Sequence, residues 1–564
     1  MSLERIIIRN FRSIKEDDVS LSAYTFFIGR NNVGKSNYLK AIDILLSWDK
    51  KYKNFDQMAN DKKANIEIIG YFKGCEAFLA LLKESKHQKA VAELIVEGVL
   101  ALQVSISPDG SADRSLYNQA TKAAQNVTGI ATNLAKIFPD SIFVPATADT
   151  ADELQDKSST ALAKIKKEVL QVFFSSLSGK VKEGFVSVDK YLHGDKENRA
   201  KELIEFEKDF DSEFMGEFAN CKSRVQFDLP DEEMVGKGMH IFLNDGHHES
   251  QIPEKGHGLQ RTAFFAMLQL LARKATGASN KPKPIFLIEE IESFLHPTAQ
   301  AKLVSAILLL TKNYQMIVST HSPFVISIDS CHGLRLVIRD AKGTQALGPQ
   351  KKKGEFDNKD YESIKNNLKY SRHMTALFAD KIIIIEGKND DGFFTKAYSL
   401  LGFGANGELI EFLPALGGGV TNVRVAYKFF SLLGLQNIGA ILDLDALFKN
   451  DTRHFLKDLD MDENLVDNFR KLVGWGQAGD PSLGDVLAGV KVNPAVDPEI
   501  EKACVELKKH SVFLLRRGSP EYYYSDGLKA KLGKASVNEK SLWKHLESKD
   551  DLLHADELRE ILQG

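Results

Sequence analysis

Two adjacent glutamates, Glu289 and Glu290, follow the apolar run 286–288. An apolar run without alternation predicts a central β-strand that is buried on both faces. Carboxylates at the end of such a strand are costly to bury unless a cation lies beside them, and a metal ion that carries nucleotide phosphates is a common solution. Taken alone, the segment fits a solvated acidic turn better, so its interpretation depends on the rest of the chain.

A glycine-rich loop with a lysine lies near the start of the chain. Residues 29–36 read GRNNVGKS, after a predicted strand at 24–28 and before a helical pattern at 38–48. This spacing predicts backbone N–H groups that cradle phosphates, with a lysine and a helix N-terminus adding positive charge. A chance glycine-lysine loop is disfavoured because a strand and a helix flank it. The predicted ATP and Mg²⁺ contacts are Gly29, Asn32, Gly34, Lys35 and Ser36.

Other polar segments could complete this nucleotide site. The sequence GHGLQR at 256–261 opens a predicted helix at 262–273 and could offer N–H groups to an anion. A histidine follows the predicted strand 315–319, where a structural role is the simpler interpretation of that residue alone. A glutamine near position 57 could contact Mg²⁺ or the attacking water, or could equally be a solvated loop residue. The candidates are Gln57, Gly256, Gly258, Gln260 and His321.

Two more predicted strands, at 377–385 and 438–442, also end in carboxylates. These are Glu386 and Asp390 after the first strand and Asp443 and Asp445 after the second. The carboxyl ends of parallel strands are where α/β sheets place their sites. Alternation predicts that the two aspartates point to one side, where hard oxygen ligands suit Mg²⁺ or Mn²⁺. A solvated turn is disfavoured because two acidic strand ends recur in this order.

Composition bounds the class of protein. The 564 residues carry a formal net charge of −3, so any nucleic-acid contact must come from a local basic surface. The four cysteines form no CxxC pair, which argues against a zinc site and fits a reducing cytoplasm. No apolar run is long enough to predict a membrane span. The sequence predicts a cytoplasmic α/β protein that does not enter the membrane.

The first set of motifs resembles the ABC-type ATPase heads of the RecF, SMC and Rad50-like group. In that resemblance residues 29–36 are the Walker A loop and residues 256–261 the signature motif. Glu289 then helps hold Mg²⁺, Glu290 polarises water and His321 senses the γ-phosphate. The resemblance implies ATP sandwiched between two copies of the chain, hence a homodimer or tetramer. GHGLQR in place of LSGGQ departs from the pattern, and so does Glu for Asp at 289, whose longer side chain keeps metal binding but leaves the hydrolysis rate open.

The second set resembles a Toprim domain, and an ATPase head followed by Toprim resembles the OLD nuclease family. Class 2 members, which include the Gabija nuclease subunit and retron-associated proteins, are nearest. The resemblance implies two-metal cleavage of DNA with Mg²⁺ or Mn²⁺, regulated by ATP-Mg²⁺, in antiphage defence. A helicase, reverse transcriptase or noncoding RNA is a possible defence partner. The implied metal ligands are Glu386, which is also the implied base, Asp390, Asp443, Asp445 and Glu521.

The resemblance also implies a late catalytic lysine. Lys549 is the first choice, with Lys529 and Lys534 as rivals. The expected organisation is an ATPase head in two parts, 1–150 and 216–370, with a helical and dimerising insertion at 151–215. A Toprim domain at 371–564 follows.

Two alternatives to a nuclease stay open. The chain could be a DNA-repair or scaffold ATPase whose Toprim acids only bind DNA or metal. Topoisomerases and primases share the Toprim acids, but they need further domains for which this chain has little room.

Overall fold

The computed structural model divides the chain into two compact units, Met1–Gly348 and Pro349–Gly564. It describes residues 1–82, 84–125, 134, 136–146, 165, 191–192, 199–214, 222–227, 239–244, 246–274, 282–293, 297–322, 325, 333–348, 376–403, 410–415, 417–432, 434–435, 437–476, 479–493, 495–532 and 539–563. In this part of the chain, no helix has both the length and the apolar character needed to cross a bilayer.

The described strands of the first unit fall into three sheets. They are β1 Ser2–Phe11, β2 Ile14–Ser20, β3 Tyr24–Ile28, β4 Ile66–Lys73, β5 Val99–Ile106, β6 Ala112–Asn118, β7 Ala123–Gln125, β8 Ser141–Val144, β9 Lys222–Phe227, β10 Met239–Asn244, β11 Glu249–Gln251, β12 Ile285–Ile288, β13 Met316–Thr320, β14 Leu334–Asp340 and β15 Gly343–Leu347. One antiparallel sheet has the order β2-β1-β4-β5-β6-β7, and a smaller one has the order β11-β10-β9.

The third sheet, β15-β14-β3-β13-β12-β8, positions the nucleotide motifs. Its strands β14, β3, β13, β12 and β8 are parallel, and β15 is antiparallel to β14. Strands β3, β12 and β13 are buried along their whole length, as expected for apolar runs in the middle of a parallel sheet. Their carboxyl ends therefore meet at one edge.

The helices of the first unit are α1 Lys35–Leu46, α2 Phe55–Met58, α3 Ser85–Ala92, α4 Lys201–Phe214, α5 His257–Lys274 and α6 Pro297–Leu310. Helix α1 packs against both the antiparallel sheet and the parallel sheet. Its apolar residues Leu39, Ile42 and Leu45 are fully buried in the core that both sheets share. Because α1 follows the glycine-lysine loop directly, this packing fixes the loop at the sheet edge.

In the described part of the second unit, the strands form a parallel sheet of order β17-β16-β18-β19. Its strands are β16 Lys381–Ile385, β17 Ile410–Pro414, β18 Ile438–Leu442 and β19 Val512–Leu514. Its helices are α7 Lys388–Leu400, α8 Gly419–Leu432, α9 Thr452–Asp458, α10 Leu465–Leu472, α11 Leu483–Val492, α12 Val496–Lys508, α13 Asp526–Leu532 and α14 Ala555–Gln563. Helices α9 to α12 lie in sequence between β18 and β19.

Several element boundaries differ from the sequence predictions. Strand β16 begins at Lys381 instead of at 377, and α7 begins at Lys388 instead of Gly392. The earlier helix start has a local cause, since the Asp390 carboxylate accepts a hydrogen bond from the Gly387 N–H at 2.8 Å. Helix α5 begins at His257, so most of GHGLQR is its first turn and not a loop before it.

Most of the predicted helical insertion at 151–215 lies outside the described residues. Its described part contains α4, whose buried Leu203, Phe206 and Phe210 face the protein interior.

Candidate nucleotide and metal sites

A cavity of about 660 Å³ lies at the carboxyl edge of the parallel sheet in the first unit. Its polar lining combines lysine and arginine with amide, hydroxyl and carboxylate groups, a composition suited to an anion that carries a metal ion. The lining residues are Arg12, Ser13, Asn31, Asn32, Gly34, Lys35, Ser36, Asn37, Gln57, Glu290, Ser319, His321 and Arg339. The predicted contacts Asn32, Gly34, Lys35, Ser36, Gln57, Glu290 and His321 are thus brought together.

The glycine-lysine loop has the backbone that its sequence requires. Gly29 has a φ of +142°, and a Cβ there would lie 2.5 Å from the Val337 carbonyl oxygen, so only glycine fits. Lys35 is buried, and its Nζ donates to the carbonyl oxygens of Gly29 at 2.9 Å and Arg30 at 2.8 Å. Burial lowers the pKa of Lys35, an effect that the nearby Glu290 carboxylate opposes.

The carboxylate of Glu290 and the ring of His321 face each other across the ends of β12 and β13. His321 Nε2 lies 3.3 Å from Glu290 Oε1. The Glu290 backbone N–H donates to Ser319 Oγ at 3.1 Å, and Ser293 Oγ donates to Glu290 Oε2 at 3.0 Å. Glu290 adopts a φ of +41°, an uncommon value for a residue with a side chain. Such outliers occur where the surrounding structure holds a functional side chain in place.

Glu289 occupies a different environment from Glu290. It is buried next to β8, and its Oε2 accepts a hydrogen bond from the Ala146 N–H at 3.4 Å. It does not line the cavity described above, and neither does Gly29.

Three predicted contacts from the GHGLQR segment do not line this cavity. Gly256, Gly258 and Gln260 are absent from its described lining. The buried side chain of Gln260 donates from Nε2 to the Lys255 carbonyl oxygen at 2.6 Å. In the ATPase heads that this chain resembles, the corresponding segment contacts the nucleotide bound by a second copy. A contact between this segment and the cavity of its own chain is therefore not expected.

A third glutamate, Glu292, was not predicted as a functional residue. It is buried, and its Oε1 accepts the N–H groups of His321 at 2.7 Å and Ser322 at 3.1 Å. It therefore fixes the turn that carries the histidine. The signal available in the sequence was the spacing Glu-Glu-x-Glu after the strand.

Two arginines of the cavity, Arg12 and Arg339, were also missed. Arg12 lies in the turn between β1 and β2, with a φ of +51°, and Arg339 lies near the end of β14. Nothing in their local sequence distinguishes them from surface arginines, since only the fold brings them to the phosphate loop.

The second candidate site is an acidic cluster at the carboxyl edge of the sheet in the second unit. Ligand oxygens of Glu386, Asp443 and Asp445 all lie within 4.8 Å of one another. Glu386 follows β16 directly, and its Oε1 accepts the Asp443 N–H at 3.0 Å. Asp443 follows β18, but Asp445 lies in a short 3₁₀ helix, Leu444–Phe448. Asp443 and Asp445 are therefore brought together by a helical turn and not, as predicted, by alternation along a strand.

Two carboxyl groups of this cluster, those of Glu386 and Asp443, have raised pKa values. Burial raises the pKa of Glu386 to about 7, against the opposing effect of the Lys449 ammonium. Burial and then the negative charge of Glu386 raise the pKa of Asp443 well above its usual range. A buried group of oxygen donors with this mutual repulsion fits a divalent cation such as Mg²⁺ or Mn²⁺, which would relieve it.

The other predicted ligands surround this cluster. The charges of Asp390 and Glu521 also raise the pKa of Asp443. Asp390 caps α7 as described above, and Glu521 Oε2 accepts the Ser519 hydroxyl at 2.5 Å.

A lysine that was not predicted, Lys449, contacts the cluster, and the catalytic role of Lys549 stays a prediction. Lys449 Nζ lies 2.9 Å from Asp445 Oδ1 and 4.0 Å from Glu386 Oε2. Burial lowers the pKa of Lys449, but the Glu386 and Asp445 carboxylates outweigh it and the pKa is raised. Lys549 is an exposed residue of the 3₁₀ turn Lys549–Asp551, Lys529 belongs to α13, and Lys534 lies outside the described residues. The spacing of Lys449, four residues after Asp445, was the missed signal.

A phosphate loop between a strand and a helix, with glutamates and a histidine at neighbouring strand ends, defines a nucleotide-binding ATPase unit. The chain belongs to the AAA ATPase domain family, whose model matches residues 1–93 and 105–326. The predicted α/β fold with an ATPase head is thereby confirmed.

Three relatives extend the likeness into the second unit. The Old nuclease of Escherichia phage P2 is 27% identical over 410 residues, which cover 70% of this chain and 69% of that protein. Endonuclease GajA of Bacillus cereus is 24% identical and covers 70% and 67%, respectively. The OLD nuclease of Thermus scotoductus is 21% identical and covers 69% and 72%. The predicted resemblance to the OLD family of ATPase-nucleases, and with it the expectation of an enzyme, is confirmed.

Proposed function

We propose that this chain is an ATP-regulated DNA endonuclease that hydrolyses phosphodiester bonds at the acidic cluster of its second unit, in antiphage defence. The observation that carries the proposal is the convergence of Glu386, Asp443 and Asp445 within 4.8 Å. The cluster lies on the same chain as a phosphate loop, and three relatives of this chain are named as nucleases.

The acidic cluster has the donors that a two-metal phosphodiesterase needs. Bound divalent ions would activate the attacking water and stabilise the leaving oxygen. In this proposal Asp443 would be the central metal ligand, and Glu386 and Asp445, whose ligand oxygens lie within 4.8 Å of it, would be further ligands. Asp390 and Glu521 extend the negative surface toward a second ion. Glu386 is also the proposed proton acceptor for the attacking water.

The nucleotide site in the first unit is the regulatory part of this proposal. Lys35 and the loop N–H groups bind the phosphates, Ser36 holds Mg²⁺, and Glu290 orients water. The proposed contact of Glu289 with Mg²⁺ requires its side chain to turn toward the cavity, which it does not line in this structure. His321, 3.3 Å from Glu290, senses whether the γ-phosphate is present. The helix start at 256–258 completes the site of a second copy in a homodimer or tetramer.

Plasmid cleavage tests the proposal most directly. The variant Asp443→Asn keeps the shape of the side chain and removes its charge, so nicking of supercoiled DNA with Mg²⁺ or Mn²⁺ should fall at least ~100-fold. ATP binding should remain. The exposed Asp460→Asn in the same unit is the control and should cut like the unmodified protein. Equal cutting by Asp443→Asn would show that the cluster is not the nuclease centre. An uncut plasmid with the unmodified protein would favour the scaffold ATPase.

A further inference from the structure

Lys449 is a cation placed within the acidic cluster. It follows the 3₁₀ helix Leu444–Phe448, whose turn carries its side chain back over Asp445. Its Nζ is 2.9 Å from Asp445 Oδ1 and 4.0 Å from Glu386 Oε2, and only 26% of its side chain is exposed. Ion pairs with this little exposure are screened less than surface pairs, so the contact contributes to the energy of the cluster.

The charges of the cluster indicate what this lysine does. When ionised, the three acids of the cluster and the two acids around it, Asp390 and Glu521, together carry five negative charges. The ammonium of Lys449 offsets one of these negative charges, and two divalent ions would neutralise the other four. Without any cation the carboxylates repel one another in a buried setting, which disfavours the folded state. The ammonium reduces this repulsion, yet it uses an oxygen of Asp445 that a metal ion would also need.

We infer that Lys449 is a built-in counter-cation of the acidic cluster, which stabilises the cluster before metal binds and competes with divalent ions for Asp445. This inference rests on the proposed metal-dependent nuclease function. In this role Lys449 is a positioning residue that holds Asp445 in place. It also lowers the affinity of the cluster for metal, so that metal binds only where divalent ions are abundant. Binding of metal at Asp445 Oδ1 requires the ammonium to move off that oxygen.

The test compares Lys449→Met with Lys449→Arg in the full chain. Methionine keeps the length of the side chain and loses the charge, whereas arginine keeps the charge. The exposed Lys457→Met, in α9 of the same unit, is the matched control for losing one lysine. Two quantities are measured: the melting temperature in EDTA, and Mn²⁺ binding followed by electron paramagnetic resonance and calorimetry.

Lys449→Met should melt at a lower temperature in EDTA and should bind Mn²⁺ at least about fivefold more tightly, with a larger stabilisation by Mn²⁺. Lys449→Arg and Lys457→Met should behave like the unmodified chain. Unchanged or weaker Mn²⁺ binding by Lys449→Met would overturn the inference, because a merely structural lysine would lower the melting temperature alone. Should Lys449→Met not fold, Lys449→Gln is measured by the same criteria.

Asp443→Asn separates this inference from the proposed function. If Asp443→Asn binds Mn²⁺ as well as the unmodified chain does, the metal site itself is wrong. If Asp443→Asn loses Mn²⁺ while Lys449→Met gains nothing, only the role of Lys449 is wrong.

Discussion

The ammonium group of Lys35 is held by the loop that it serves. Its Nζ donates to two carbonyl oxygens of that loop, Gly29 and Arg30, at 2.9 and 2.8 Å. These bonds keep a buried charge hydrogen-bonded, and a nucleotide phosphate would offer it a stronger, charged acceptor in their place. The loop is therefore organised around the lysine before a phosphate arrives.

Replacing Lys35 tests whether the two candidate sites are separable. Lys35→Ala should reduce ATP affinity at least ~100-fold, because the charge nearest the phosphates is lost. Metal-dependent plasmid cutting should persist, with its response to ATP abolished. Binding of a fluorescent ATP analogue and plasmid nicking measure the two effects. The control is Lys40→Ala, in the same helix but outside the cavity lining. A folded Lys35→Ala protein that no longer cuts would contradict separable sites.

Glu292 should act on hydrolysis through the position of His321. Its Oε1 accepts the N–H groups of His321 and Ser322, so Glu292→Ala removes two hydrogen bonds from a buried turn. We expect a loss of about 1–3 kcal/mol of stability and a lower ATPase kcat, with ATP affinity little changed. Glu292→Gln keeps a carbonyl acceptor and should retain most of the rate. The idea fails if Ala and Gln variants hydrolyse ATP equally well.

Among single residues, the sequence predicted those whose spacing in a motif is tied to a known chemical role. The lysine and serine of the phosphate loop, and the acids at strand ends, belong to that group. Arg12 and Glu292 do not belong to it. Arg12 reaches the cavity because the turn between β1 and β2 lies beside the phosphate loop, and Glu292 acts through a contact between two strand ends. Lys449 was missed because its role requires knowing that Asp445 lies in a helical turn.

The elements that carry the sites are buried strands followed by short helices. Periodicity predicted the buried strands well, because a short apolar run without alternation is typical of a strand that is buried on both faces of a parallel sheet. Helix starts were less predictable. The segment Gly387–Gly392 shows why: the Asp390 cap begins α7 several residues earlier than the glycine at 392 suggests. Gly392 then lies inside the helix, where it serves packing.

Gly392 allows Trp543 to lie against α7. A Cβ at position 392 would overlap the indole ring of Trp543. Gly392→Ala should therefore destabilise the protein by about 1–3 kcal/mol despite the better helix propensity of alanine. Gly527→Ala is the matched control, since Gly527 also lies in a helix and its nearest neighbour, Ser525 Oγ, would be 3.8 Å away. This second change should be neutral or stabilising by up to about 1 kcal/mol.

Denaturant unfolding followed by Trp fluorescence measures both glycine variants. Gly392→Ala should shift the midpoint down, and Gly527→Ala should leave it in place or raise it. Equal effects of the two substitutions would show that the indole moves aside at little energetic cost.

On the scale of the whole molecule, the chain joins two units that each present functional groups at the carboxyl edge of a parallel sheet. The presence of two such edges was predictable from the repeated pattern of apolar strand and terminal acid. The assembly of chains was not, because it depends on surfaces that no periodicity marks. The GHGLQR segment bears on this assembly, because the helix start at 256–258 lies outside the lining of the cavity that holds Lys35.

An ATP-driven dimer follows if that helix start contacts the nucleotide of a second copy. With Glu290→Gln, hydrolysis should be slowed at least ~100-fold and the ATP-bound assembly should accumulate. Light scattering after size exclusion should then show a larger mass with ATP-Mg²⁺ than with ADP. Adding Gly258→Glu places a negative charge where the resemblance puts the γ-phosphate, so the larger assembly should be lost while ATP still binds.

Gly258→Gln in the same background supplies the control, because it has the same length without the charge. If steric bulk alone mattered, glutamine and glutamate would act alike. If charge matters, glutamine should leave a measurable fraction of the ATP-dependent assembly and glutamate none. A mass that does not respond to ATP in Glu290→Gln would show that assembly is independent of the nucleotide. ATP would then have to act on the nuclease within a single chain or within an assembly that forms without it.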